Sequence, residues 1–224
     1  IPFRVVGKGQ RRVPVRFTAY GSESDRGPYP VPLGTRIEGG SDNHVIVVQK
    51  GSCRLYEMYR ARRGKGGWLA DSGAKFDLRS NALRPAGWTS ADAAGLPIYP
   101  GLAKAGEASN SSINHALRVT VEESQRGYVD PARHFASSSN DRSLPPMGLR
   151  LRLKAGYGLS GFSGQALAIM KAMKKYGLIV ADNGSDWFIS GTPDRRWDDD
   201  DLDQLKKVPG GAFEAVNTGP VHRD

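Results

Sequence analysis

Residues 149–154 read LRLRLK and residues 115–121 read HALRVTV. Successive side chains of an extended chain point to opposite sides. Leu149, Leu151 and Leu153 therefore face a core, and Arg150, Arg152 and Lys154 face away from it. In the second stretch His115, Leu117, Val119 and Val121 share one face, with Arg118 and Thr120 on the other. Both are strands. Working outward, residues 45–48 (VIVV) form a short, wholly apolar β-branched run. Residues 53–59 (CRLYEMY) follow Lys50-Gly51-Ser52 at hairpin spacing. Residues 13–20 alternate, and 68–70 and 75–78 add two more short strands. Strands this brief, with turns about every eight to twelve residues, predict a mainly-β sandwich or barrel.

One substantial helix is predicted over 164–176. Ser163 stands at its N-cap, Ala166, Leu167, Met170 and Met173 form an apolar stripe, and Gly177 supplies the left-handed stop. Lys171, Lys174 and Lys175 lie toward its C-terminal end, where cations suit the helix dipole. Residues 178–181 are then a buried strand, 182–185 (DNGS) a tight turn and 186–190 a returning strand. The acidic run at 198–201 opens a short C-terminal helix, because it lacks the alternating ligands and central Gly of a Ca²⁺ loop. Residues 1–40 are Pro/Gly-punctuated and extended. No linker divides the chain, so 1–224 is expected to be a single β-rich domain.

The 224 residues carry a formal net charge of +9, with 28 Gly and 14 Pro. The charge is uneven: residues 1–75 hold 14 Lys+Arg against 6 Asp+Glu, whereas 151–224 hold 10 against 10. No nucleic-acid-binding module organises that basic excess, and residues 60–65 (RARRGK) read as a solvated hairpin tip. Nucleic acid is therefore not an expected partner. No apolar run approaches the ~18 residues of a membrane-spanning helix. The glycine pairs match neither a phosphate-binding loop nor a dinucleotide fingerprint, so no cofactor is expected. The single cysteine, Cys53, excludes an internal disulfide and is read as a buried, inert thiol in a strand.

Several segments taken together resemble a group of exported bacterial proteins. They are Ile37-Glu38-Gly39-Gly40 with 42–48 (DNHVIVV), 53–59 (CRLYEMY), 83–102 (LRPAGWTSADAAGLPIYPGL), 113–120 (INHALRVT), 131–137 (PARHFAS) and 176–191 (YGLIVADNGSDWFISG). The resemblance implies a secreted, extracellular location. It also implies a signal peptide and some tens of residues ahead of the position matching Ile1, where a partner for Cys53 could lie. It carries no activity. This chain departs from the group at Asp130, where an aromatic usually precedes Pro131-Ala132-Arg133-His134.

Glu57 is the acid that the pattern singles out, because it shares a strand face with Leu55 and Tyr59. A carboxyl on such a face loses solvation and its pKa rises, which suits a general acid. The plainer alternative is an edge-strand Glu paired to an arginine. Asp92, in Gly87-Trp88-Thr89-Ser90-Ala91-Asp92-Ala93-Ala94-Gly95, is the expected second carboxylate, and His115 the third catalytic candidate. Small residues there permit close approach to a ligand; alternatively Thr89 or Ser90 caps a short helix with Asp92 in its first turn. Trp88 would stack on a sugar, while Arg84, Arg118, Ser90 and His134 complete the expected substrate-binding ring. Equally, the two arginines could simply pair with acids.

His44, His115 and His134 could hold a metal, but their spacing gives no local metal signature, and none is the expectation. The favoured function is a secreted glycan-active hydrolase with paired carboxylates in a β-sandwich cleft. A lyase version would use His115 or His134 as base, with an arginine neutralising a uronate. Polysaccharide or cell-surface glycan is the expected partner. The alternative is a non-catalytic structural, adhesive or filament-forming surface protein, which could be a homo-oligomer; a three-histidine metal protein is a further one.

Overall fold

A computed structural model describes residues 1–223. The strands are β1 (Phe3–Val6), β2 (Val15–Phe17), β3 (Val45–Gln49), β4 (Arg54–Tyr59), β5 (Arg62–Gly64), β6 (Gly67–Ala70), β7 (Ser72–Asp77), β8 (Leu117–Val121), β9 (Arg150–Leu153), β10 (Leu178–Asn183) and β11 (Phe213–Val216). The helices are α1 (Ala105–Ser109), α2 (Gly164–Lys175) and α3 (Asp199–Leu202). With 26% strand and 16% helix the chain is mainly β. Its layers are three sheets rather than the two of a simple sandwich.

The first sheet has the order β1-β3-β4-β7 and the second β2-β6-β5. They pack face to face over Tyr29, Val31, Val45, Val47, Tyr56, Met58, Trp68 and Ala70. The opposite face of the first sheet is buried too, with Ile46 and Leu55 against Ala91, Ile98 and Leu102. Burial on both faces explains why residues 45–48 are apolar without alternation. The third sheet, β11-β9-β10-β8, covers one face with α1 and α2. Leu117, Val119, Val121, Leu151, Leu153, Leu178 and Val180 meet Ile169, Met170 and Met173 there. Its other face looks toward the first sheet, and the loop carrying residues 84–103 threads between the two.

Several expectations need correcting. Cys53 is not a buried strand residue: it is exposed, in a turn, with φ of 50°. Ser163 occupies the N-cap of α2 but makes no side-chain capping bond. Asp201 caps the helix instead, its Oδ2 accepting from the Ala166 N–H at 2.9 Å. Asp182 and Asn183, expected in a turn, extend β10, and the stretch after them returns against β8, where Ile189 bridges Val119. The helix stop stands as expected. Gly177 has φ of +81°, and a Cβ there would lie 2.6 Å from the Leu151 carbonyl oxygen. Among the described residues, no helix is long and apolar enough to cross a membrane.

Candidate functional site

The 84–103 loop is held where backbone polar groups must be satisfied without water, and its side chains do this. Ser90 Oγ accepts from the Asp92 N–H at 2.9 Å and donates to the Leu96 carbonyl at 2.6 Å. Ser72 Oγ donates to the Ser90 carbonyl at 2.6 Å. Ala91 and Ala94 are buried in two different clusters, and Gly95, at φ +71°, leaves no room for a Cβ beside the Trp88 carbonyl. The small residues thus let a loop pass between sheets. Asp92 starts no helix.

Asp92 is 1% exposed at its side chain and is clamped by Arg118 from β8. Arg118 Nη2 donates to Asp92 Oδ1 at 2.9 Å and Nε donates to Oδ2 at 3.3 Å. Arg118 Nη1 donates to Ser190 Oγ. The same Nη2 lies 3.7 Å from Asp182 Oδ2, so two carboxylates share one guanidinium. Asp182 reaches that position through a bulge. Val180 pairs with Val119, but Asp182 rather than Ala181 pairs with Thr120. Regular pairing would have put Asp182 opposite Val121 on the core face. The extra residue moves it to the face of Arg118.

Asp182 is 27% exposed at its side chain. Burial, reinforced by the Asp92 charge, pushes its carboxyl up to about 7, with Arg118 opposing. Tyr59 stands in the same field, and burial raises its phenol pKa, with Asp42 and Asp182 adding to the rise. Ile189 packs toward the core of the third sheet, so alternation about its bridge sends Phe188 and Ser190 to the Arg118 side. Phe188 is 65% exposed. Asp182, Arg118, Ser190 and Phe188 therefore share one face of the third sheet, where Asp182 is partly open to solvent.

Glu57 lies within charge range of Asp92 and Arg118 and is fully buried. Its Oε2 accepts from the Ile98 N–H and its Oε1 from the Tyr99 N–H, both at 2.9 Å. Burial pushes its carboxyl up to about 7, against the lowering effect of those two donors. The expected elevation is present; the access a catalytic acid needs is not. Glu57 and Asp92 are each closed by protein donors, so they do not form an open carboxylate pair.

The histidines do not meet. His44 Nδ1 is 2.5 Å from Glu38 Oε2 and its Nε2 is 2.9 Å from the Ala91 carbonyl. Two acceptors require two N–H donors, so His44 is an imidazolium. Burial works to lower its pKa, and the Glu38 hydrogen bond and charge outweigh that and raise it. His115 likewise faces two acceptors, the Ala116 carbonyl at 2.9 Å and Glu107 Oε2 at 3.0 Å. His134 Nδ1 is 2.7 Å from the Ala93 carbonyl, and its Nε2 is 3.8 Å from Glu23. Three histidines with three different carboxylates make no joint metal site. Among the described residues no group of three or more His, Cys, Asp or Glu side chains is placed to hold a metal ion. Both ring nitrogens of His44 and of His115 are engaged, whereas His134 keeps Nε2 without a hydrogen bond, at 3.8 Å from Glu23.

Arg84 donates to Asp25, to the Thr89 carbonyl and to the Glu23 carbonyl. Its guanidinium also lies 5.5 Å from the centre of the Trp88 ring. Trp88 therefore stacks on an arginine, not on an open sugar face, and Arg84 fastens the loop. Of the residues expected from sequence, Asp92, His115, Arg118 and Arg84 line one cleft between the first and third sheets. Asp182, Tyr59, Phe188 and Ser190 were missed. Asp182 looked like a turn residue because neither the parallel pairing of β10 with β8 nor its bulge has a local sequence signature. No protein-family model, curated protein or solved structure matches this chain.

Proposed function

We propose that this chain is a secreted glycan-active hydrolase whose acid is Asp182, with Asp92 holding Arg118 in place beside it. The observation that carries the reading is the bulge at Ala181, which delivers a partly exposed carboxyl of raised pKa to within 3.7 Å of a fixed guanidinium. The paired carboxylates thus move from Glu57 and Asp92 to Asp182 and Asp92. Asp182 gives its proton to the departing glycosidic oxygen as the bond to the anomeric carbon breaks. Water then adds to that carbon and its proton returns to the carboxylate. Arg118 positions Asp182, while Asp92 matches the guanidinium charge and helps hold the Asp182 proton. Phe188 offers an exposed ring for a sugar face. The extracellular location rests on the resemblance to exported proteins.

A panel of neutral and uronate-containing polysaccharides, read by release of reducing ends, tests the activity. Asp182→Asn is expected to lower kcat/KM by about 100-fold or more with an unchanged melting temperature. Because the acid must be protonated, the wild-type rate falls as pH rises through about 7. No turnover on any glycan, or an Asp182→Asn variant as active as wild type, defeats the proposal.

A non-catalytic, self-assembling surface protein is the second reading. It is favoured by edge strand β1, which leaves Phe3 37% and Val5 52% exposed beside unpaired backbone. Sedimentation at increasing concentration would show oligomers under that reading and a constant mass otherwise.

A further inference from the structure

We propose that the cleft between the first and third sheets binds a small monoanionic amphiphile, a carboxylate carried on an apolar chain or ring. The cleft encloses about 820 Å³, within the roughly 300–1,000 Å³ of small-molecule sites. Asp92 and Arg118 form part of its wall, and Asp182 does not line it. Its walls are mostly apolar, with Phe76 from β7, Pro97 and Pro100 from the threading loop, and Ile179 from β10. Leu83 stands at the rim, 50% exposed.

The charges around this apolar space define the occupant. Ile179 pairs with Arg150 on one side and with Arg118 on the other, so one row of the third sheet reads Arg150, Ile179, Arg118. Arg118 is neutralised by Asp92. His115 is met by Glu107 at 3.0 Å, and Arg54 by Asp77 at 3.3 Å. Lys75 and Arg150 are the two cations of this set with no carboxylate within 4 Å among the described residues. Lys75 turns away to the Arg26 carbonyl and the Tyr29 ring, so Arg150, which donates to the Tyr176 carbonyl, is the unmatched cation left facing this space. One guanidinium edge remains for a carboxylate, which Arg recognises through two parallel N–H donors. A polyanion would find only one unmatched cation, and a neutral sugar would leave both the apolar wall and that cation unused.

Calorimetry on the full chain with octanoate and 1-octanol tests the assignment. Octanoate is expected to bind saturably at one site, at least tenfold tighter than octanol. Arg150→Met removes that tenfold preference while leaving octanol binding unchanged, and Arg150→Lys retains part of it. Asp182→Asn leaves octanoate binding unaltered, which separates this cleft from the proposed acid. Melting curves confirm that each variant is folded. No saturable octanoate binding, equal affinity for the two probes, or an octanoate affinity indifferent to Arg150→Met would overturn the proposal.

Discussion

Replacing Arg118 by methionine is expected to destabilise the protein by about 3–5 kcal/mol, the cost of leaving a buried charge without its partner. The orphan is Asp92, whose side chain is 1% exposed and whose two oxygens take both guanidinium contacts. Asp182 loses its only cation as well, and Ser190 loses its donor. The double replacement Asp92→Leu with Arg118→Met is expected to recover much of that loss, because an apolar pair of similar volume leaves nothing to solvate. Urea unfolding of the two singles and the double gives the coupling energy directly. Near-additive losses would mean that the clamp does not support the junction between the sheets.

Glu57→Ala is the second large effect, at about 3–5 kcal/mol. The Ile98 and Tyr99 N–H groups both point at this carboxyl and would be left buried without an acceptor. The cavity adds to the loss. Glu57 also gives stability a pH dependence of definite sign. Its folded pKa is raised to about 7, above the ordinary glutamate value, so folding takes up a proton in between. The contribution is fully present below the unfolded pKa and is lost as pH rises through about 7. Wild type should therefore weaken from pH 5 to pH 8, and Glu57→Gln, which cannot titrate, should show a flatter dependence. An equal slope in both proteins would assign the pH dependence elsewhere.

The strands were legible because their patterns are local. LRLRLK and HALRVTV alternate as strands that bury one face, and the unbroken apolar run at 45–48 belongs to a strand buried on both. Helix α2 ends where Gly177 permits a left-handed turn. The site was half legible. A carboxyl in the middle of CRLYEMY must lose solvation, and Glu57 does so with the elevated pKa expected of it. Its closure by two loop N–H groups is a long-range contact without a sequence trace. Arg118 looked like an outward-facing strand residue because nothing in HALRVTV says that a second sheet and a loop cover that face. Asp182 was hidden for the opposite reason: Asp-Asn-Gly-Ser is so good a turn sequence that the bulge it follows leaves no mark.

The cap on α2 has a consequence for how the molecule is made. All strands of the first two sheets lie within residues 3–77, so these sheets have their pairing partners early in synthesis, with the outer face of the first still waiting for Ala91, Ile98 and Leu102. The third sheet and α2 do not. A twelve-residue helix is marginal in isolation, and the carboxylate that accepts from its first turn arrives with Asp201, 35 residues after Ala166. The outer strand β11 arrives later still. As the chain leaves the ribosome, assembly is therefore vectorial: the two N-terminal sheets can pair first, while the apolar face of the third stays incompletely covered until residues 199–216 have followed.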